Sequence, residues 1–316
     1  MAKLEGKVAV VAGATRGAGR GIARALGEQG ATVYCTGRSV RGNLSPYGRP
    51  ETIEETAELV DRAGGRGIAV RVDHTVDQDV RSLFERVRSD HGRLDVLVND
   101  VWGGDPMIEW GKPFWDTDLD QGFALMRQAV YSHVITAKHA VPLMLPKRRG
   151  LIVEVTDGDT LTYRGTLFYD LVKTTVIRLS FIMADELRKH RIASLAVTPG
   201  FLRSEMMLAH FGVTEENWRD AVKKEKSFAV SETPLLVGRG IAALAADPKI
   251  FERTGQVTSS WDLAARYRLV DEDGTLPEWG KYFSEKLPAN HFVKLAMRRG
   301  IDWQDRILKR TKRYLA

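Results

Sequence analysis

Cysteine is almost missing from this chain. Cys35 is the single example among 316 residues, so no disulfide can form within the chain. Long apolar runs are missing too. No stretch reaches the roughly 20 residues that a membrane-spanning helix needs, and no span is expected. Residues 1–7 lead straight into a strand pattern without a long apolar run, so a secretory leader is not expected. Together with the lone thiol this points to a reducing, cytoplasmic setting. The seven histidines show no ligand spacing, and no metal site is expected. An excess of one charge is missing over most of the length. The net charge of +6 is matched by the 287–316 stretch alone, with eight Lys/Arg against two Asp/Glu. Such a stretch can contact nucleic acid or an acidic membrane. A solvated helix face or a subunit contact is the commoner reading, and no nucleic-acid partner is expected.

What is present is core and alternation. Apolar residues make up 43% of the chain, enough for a packed interior. Short apolar runs at 7–12, 32–36, 67–72, 94–99, 151–155, 192–197 and 255–259 predict strands. Between them, 22–29, 51–63, 77–90, 116–145 (with interruptions), 168–190 and 233–246 predict helices. Strands alternating with helices of this length imply crossover connections and a parallel sheet covered on both faces. The predicted fold is α/β: a Rossmann-type doubly wound parallel sheet flanked by helices, a single domain over 1–263. Residues 264–316 form a C-terminal helical extension, not an independent domain, with a solvated turn at 271–274 and a basic helix near the end. The 203–228 stretch, with Met206, Met207 and Phe211, predicts a mobile cover over a ligand.

Between the first strand and the first helix lie Gly13, Thr15, Arg16, Gly17, Ala18 and Gly19. Small residues there let the backbone approach a pyrophosphate, and the helix dipole favours its charge. The spacing is Gly-x-x-x-Gly-x-Gly. The second strand ends Thr36-Gly37-Arg38-Ser39, without the carboxylate that would bind the ribose hydroxyls of NAD. Arg16 and Arg38 suit a ribose 2′-phosphate, so NADP(H) is favoured, with NAD(H) possible. Asp73 follows the third strand and could accept a bond from the adenine amine. Asn99 ends the fourth, at the edge where ligands of such sheets sit.

Tyr169 and Lys173, four residues apart, share one face at a helix start. An ammonium nearby favours the phenolate, so such a tyrosine can exchange a proton with a carbonyl or alcohol oxygen during hydride transfer. With the glycine turn upstream, the chain resembles the short-chain dehydrogenase/reductase family over about 4–262 and, within it, the dehydrogenase/reductase member 1 branch. The resemblance implies that Tyr169 is the acid/base. Lys173 would hold the nicotinamide ribose and tune the tyrosine. Gly13, Gly17, Gly19, Asp73 and Asn99 would contact cofactor. It also maps Pro199 onto the segment after the sixth strand and Ser204 onto the place of a threonine that binds the carboxamide.

The chain departs from the family pattern at several points. Ala12 stands where the family has threonine. Asn99-Asp100-Val101-Trp102 stands for Asn-Asn-Ala-Gly. The catalytic serine, usually one of a Ser-Ser pair, falls on Thr156-Asp157, and either residue could take its place. The asparagine behind a relay water falls on Ala129, beside Gln128. Trp102, Trp110, Phe114, Trp115, Tyr163, Met206 and Met207 could line a substrate pocket. The expected function is an NADP(H)-dependent oxidoreductase on a small-molecule carbonyl or alcohol, assembled as a homodimer or homotetramer. Reduction of an activated carbon–carbon double bond is one alternative reading. A low-turnover cofactor-binding sensor or scaffold is another.

Overall fold

The apolar runs form strands because each is short, rich in β-branched residues and ended by a turn. The computed structural model describes residues 3–44, 48–159 and 163–286. Among these, seven strands make one parallel sheet: β1 (Val8–Ala12), β2 (Thr32–Gly37), β3 (Arg66–Arg71), β4 (Val96–Asn99), β5 (Gly150–Val155), β6 (Ile192–Thr198) and β7 (Val257–Ser259). Their order is β3-β2-β1-β4-β5-β6-β7. The order reverses between β1 and β4, and a crevice opens there beyond the strands' C-terminal ends.

Alternate residues of each strand face opposite layers. Val11, Val98, Val153 and Leu195 pack with Ile22 and Leu26 of α1 (Gly17–Glu28) and with Ile241 farther along the chain. Val10, Leu97 and Ile152 face the other way, against Val80 and Phe84 and against Ala137 and Met183. Between α1 and these later residues run α2 (Ile53–Arg62), α3 (Asp77–His91), α4 (Leu119–Met126), α5 (Ser132–Ala140), α6 (Leu167–Glu186), α7 (Glu205–Phe211) and α8 (Pro234–Ala246). The first helix starts five residues earlier than its apolar pattern, at Gly17. The glycines that hide the pattern are there for packing: a Cβ on Gly21 would lie 2.0 Å from the Pro234 carbonyl oxygen of α8. Two backbones that close leave no room for a side chain.

The long helix expected over 116–145 is interrupted as predicted. A π-helical segment, Arg127–Tyr131, joins α4 to α5. It widens the helix around Ala129, which packs with Leu125, Phe168 and Val172, while the adjacent Gln128 lines the crevice; such bulges recur at functional sites. At the C-terminal end, α9 (Ser260–Tyr267) spans the boundary expected at 263/264, and its Leu263 and Ala264 are buried in the core. After it, α10 (Trp279–Lys286) lies over the crevice, where Trp279 meets Phe201 at 5.9 Å between ring centroids. Residues 264–286 therefore belong to the same domain. The basic helix expected near the end lies outside the described residues. Among those described, no helix is long and apolar enough to cross a membrane.

The 203–228 stretch carries a small core of its own. Trp218, Ala221 and Phe228 are buried there. Arg203, 1% exposed, donates to the Ser231 carbonyl at 2.7 Å, reaches Glu215 and Asp273, and stacks its guanidinium 4.1 Å from the Trp218 ring centre. A buried, fully partnered arginine of this kind fixes where α7 begins.

Candidate active site

The crevice is a cleft of about 690 Å³, within the range of a small-molecule site. Its floor is the end of β1. Gly13 has φ +90°, and a Cβ on it would sit 2.3 Å from the Asp100 carbonyl oxygen. The turn can exist only without that side chain. Thr15, Arg16, Gly17 and Ala18 follow along the wall, while Gly19 tucks under Gly13 and gives its N–H to the Asp100 carboxylate. The first N–H of α1, that of Gly17, is taken by Glu205 Oε2 at 2.7 Å. No pattern in the sequence pointed to that contact, because 188 residues separate the partners.

At one end of the cleft three arginines gather. Arg38 lies 3.9 Å from Asp73, and Arg16 donates to Glu51 at 3.1 Å. Arg49, not anticipated from the sequence, binds the same Glu51 at 2.5 Å and also lines the cleft. One guanidinium nitrogen of Arg16, Nη2, is buried with no partner. Asp73 accepts from the Thr75 amide and hydroxyl, and its carboxyl lies below the usual range through these bonds and Arg38, against the opposing effect of burial.

At the other end Tyr169 and Lys173 emerge from the first two turns of α6. The Tyr169 hydroxyl donates to Asp157 Oδ2 at 2.7 Å. This resolves which of the adjacent pair faces the phenol. Thr156 is 2% exposed and its hydroxyl donates to the Lys173 carbonyl at 2.9 Å, so it braces the helix. Burial and, after it, the Asp157 charge push the Tyr169 phenol well above its ordinary range. Burial lowers the Lys173 ammonium, while Asp157, Asp100 and Asp105 oppose the shift. Lys173 Nζ lies 3.9 Å from the centre of the Trp102 ring. Burial also raises the Asp100 carboxyl to about 7, against the pull of Lys173 and His133.

Asn99 does not line the cleft. It is fully buried beneath it and donates to Glu154 Oε1 at 2.7 Å. Glu154 also meets His133 Nδ1 at 2.6 Å, and His133 Nε2 faces the Val101 carbonyl at 3.2 Å. This buried layer fixes the Asp100–Trp102 backbone from below. Pro199 and Ser204 line the cleft, and Ser204 caps α7 by accepting from the Met207 amide at 3.3 Å. Trp102, Met206 and Met207 of the expected pocket also line it. Phe114, Trp115 and Tyr163 do not: all three are exposed. Trp110 stands at the rim, its ring 5.3 Å from that of Tyr169. Trp279 and Asp105, missed in the sequence, complete the lining. Among the described residues no three acidic, histidine or cysteine side chains could hold a metal ion.

Comparison with known proteins agrees with this architecture. Residues 7–211 match the family model of the short chain dehydrogenases. Human dehydrogenase/reductase SDR family member 1 is 36% identical over 278 residues, covering 86% of this chain and 85% of that protein. The 7alpha-hydroxysteroid dehydrogenase of Clostridium sardiniense is 30% identical over 70% of this chain and 79% of its own. Among solved structures, a hydroxysteroid dehydrogenase from Escherichia coli shares the fold with a TM-score of 0.65 at 21% identity, covering 81% of this chain and 95% of that one.

Proposed function

The chain belongs to the short chain dehydrogenase family, and from that premise we propose that it moves hydride between NADP(H) and a small-molecule carbonyl/alcohol pair, with Tyr169 as acid/base. The observation that carries this reading is that the Tyr169 phenol, Lys173 and the glycine turn share one cleft at the sheet's reversal point. A nicotinamide nucleotide fits the residues present. Gly17 leaves room beside the start of α1, where a pyrophosphate would take the N–H now held by Glu205, and the orphaned Arg16 Nη2 can bind an anion. When bound, the nicotinamide supplies or takes the hydride.

The chain's own residues do the rest. Arg16, Arg38 and Arg49 form a cationic end suited to a 2′-phosphate. Lys173 faces the cleft beside Tyr169 and offers its ammonium to the ribose hydroxyls. Tyr169 gives its proton to a carbonyl oxygen or takes one from an alcohol, and the π-bulge and the His133–Glu154 layer hold the floor beneath. Asp157 stands in the place of the family's serine. A hydroxyl there would donate as well as accept; an ionised carboxylate only accepts. Carbonyl reduction through Tyr169 therefore requires the phenol to leave Asp157 for the substrate oxygen. Cytoplasmic residence is part of the same proposal.

Removing the phenol hydroxyl is expected to spare the cofactor site. In Tyr169→Phe, NADPH affinity should stay within about twofold, while carbonyl turnover falls by roughly two to four orders of magnitude. Titration and single-turnover kinetics check both, and undiminished turnover would reject Tyr169 as the acid.

Cofactor choice is read by titrating NADPH and NADH separately. NADPH should bind more tightly, and Arg38→Asp should weaken NADPH selectively, by about tenfold or more. Equal losses for both cofactors would remove the phosphate contact from the account.

Phe123, Tyr131 and Val134 on the α4–α5 helix, and Leu171, Phe181 and Ile182 on α6, are large apolar side chains left exposed. Such faces support a homodimer or homotetramer. Light scattering on a sizing column should give a mass of two or four chains; a monomer at micromolar concentration would contradict it.

A further inference from the structure

Among the described residues, the substrate end of the cleft sets two carboxylates beside its donors Tyr169, Lys173 and Gln128. Asp157 and Asp105 line it, together with Asp100 at the floor. Lys173 is the cation that faces them. Arg164 lies behind Asp157, but it does not line the cleft: it donates to the Asp157 backbone carbonyl at 2.5 Å and to the Asp170 carboxylate at 3.2 Å. Arg164 is paired with Asp170, though its charge still reaches Tyr169 and Lys173; among the described residues Asp157 and Asp105 face Lys173, with the partly neutralised Asp100 beneath.

The aromatic walls have the same preference. Trp102 and Trp110 both pack on Tyr169, at 5.6 and 5.3 Å between centroids. Trp102 donates its indole N–H to Asp105 Oδ2 at 2.9 Å, which leaves that carboxylate anchored at the ring's edge. Lys173 already sits over the Trp102 ring at 3.9 Å, so the indole offered to an incoming cation is that of Trp110, beside these carboxylates. The phenol hydroxyl, the donor a carbonyl oxygen needs, is engaged with Asp157. An incoming carbonyl, which can only accept, meets an acceptor; a cationic nitrogen meets its counter-ion.

We propose that this end of the cleft takes a positively charged nitrogen compound, an iminium or its amine product, with Asp157 and Asp105 as counter-ions and the Trp110 indole as a wall. The inference rests on the hydride-transfer reading for its chemistry and goes beyond it in substrate class. The reaction balances without a proton donor. The iminium carbon accepts hydride from a reduced nicotinamide, the C=N π pair moves onto nitrogen, and a neutral amine and an oxidised nicotinamide result. Tyr169 keeps its proton throughout, in agreement with its bond to Asp157.

The test uses the full chain, first without cofactor. Isothermal titration compares N-methyl-3,4-dihydroisoquinolinium with 1-tetralone, an uncharged ketone of similar shape. The cation should bind about tenfold or more tightly at low salt. Asp157→Asn and Asp105→Asn should each shrink that ratio. Because the ratio is internal to each protein, a general loss of stability does not imitate the effect. Equal or tighter binding of the ketone, or a ratio unchanged in both variants, overturns the proposal. NADPH is then added. Iminium reduction with no solvent deuterium isotope effect on single-turnover hydride transfer supports the proton-free step, and a clear solvent isotope effect overturns that step. Charge-selective binding with no NADPH consumption from either probe supports the binding site and counts against the hydride-transfer reading itself.

Discussion

The close approach of β1 and β4 at their C-terminal ends is the constraint on which the cleft depends. Gly13 meets the Asp100 backbone at a distance no side chain could tolerate, and Gly19 closes beneath it. With those backbones locked, α1 starts immediately under the cleft and Asp100, Val101 and Trp102 are laid across its floor. The buried Asn99–Glu154–His133 set then holds that floor from the opposite side, through bonds of 2.7 and 2.6 Å. These buried bonds are costly to disturb, so they fix one arrangement of the strand ends, with Asn99 Oδ1 left without a partner.

On that platform one side chain, Asp157, sets the environment of the Tyr169 phenol. Asp157 offers the phenol an acceptor bearing charge. It draws the Tyr169 proton toward itself, raises the phenol above its ordinary range together with burial, and adds to the negative field that Asp100 and Asp105 already create around Lys173. The scaffold is that of the short chain dehydrogenases, and the partner of its Tyr169 phenol is a carboxylate. This is how one fold serves unlike substrates.

The sheet, its helical layers and the Tyr169/Lys173 pair were legible in the sequence because each leaves a local signal: period, glycine spacing or a four-residue offset. The choice between Thr156 and Asp157 was not legible. The two are adjacent, and which one faces the phenol depends on where β5 ends and how the following turn runs. Arg49, Glu51, Glu205 and Trp279 were hidden for another reason. Each reaches the cleft or its walls from a loop or helix far along the chain, and no pairwise spacing announces a contact made by tertiary packing. The placement of Asn99 was misread because the end of a strand points alternately into the cleft and beneath it, and here the asparagine points beneath.

The central claim, that the Asp157 carboxylate governs the Tyr169 proton, is tested most directly by an ultraviolet phenolate titration of Asp157→Asn against the parent chain, with Tyr169→Phe subtracted from each to isolate the one phenol. The account predicts that Tyr169 ionises at lower pH in Asp157→Asn than in the parent, because removing the carboxylate removes a charge that opposes the phenolate. An unchanged or higher ionisation midpoint in the variant would contradict it.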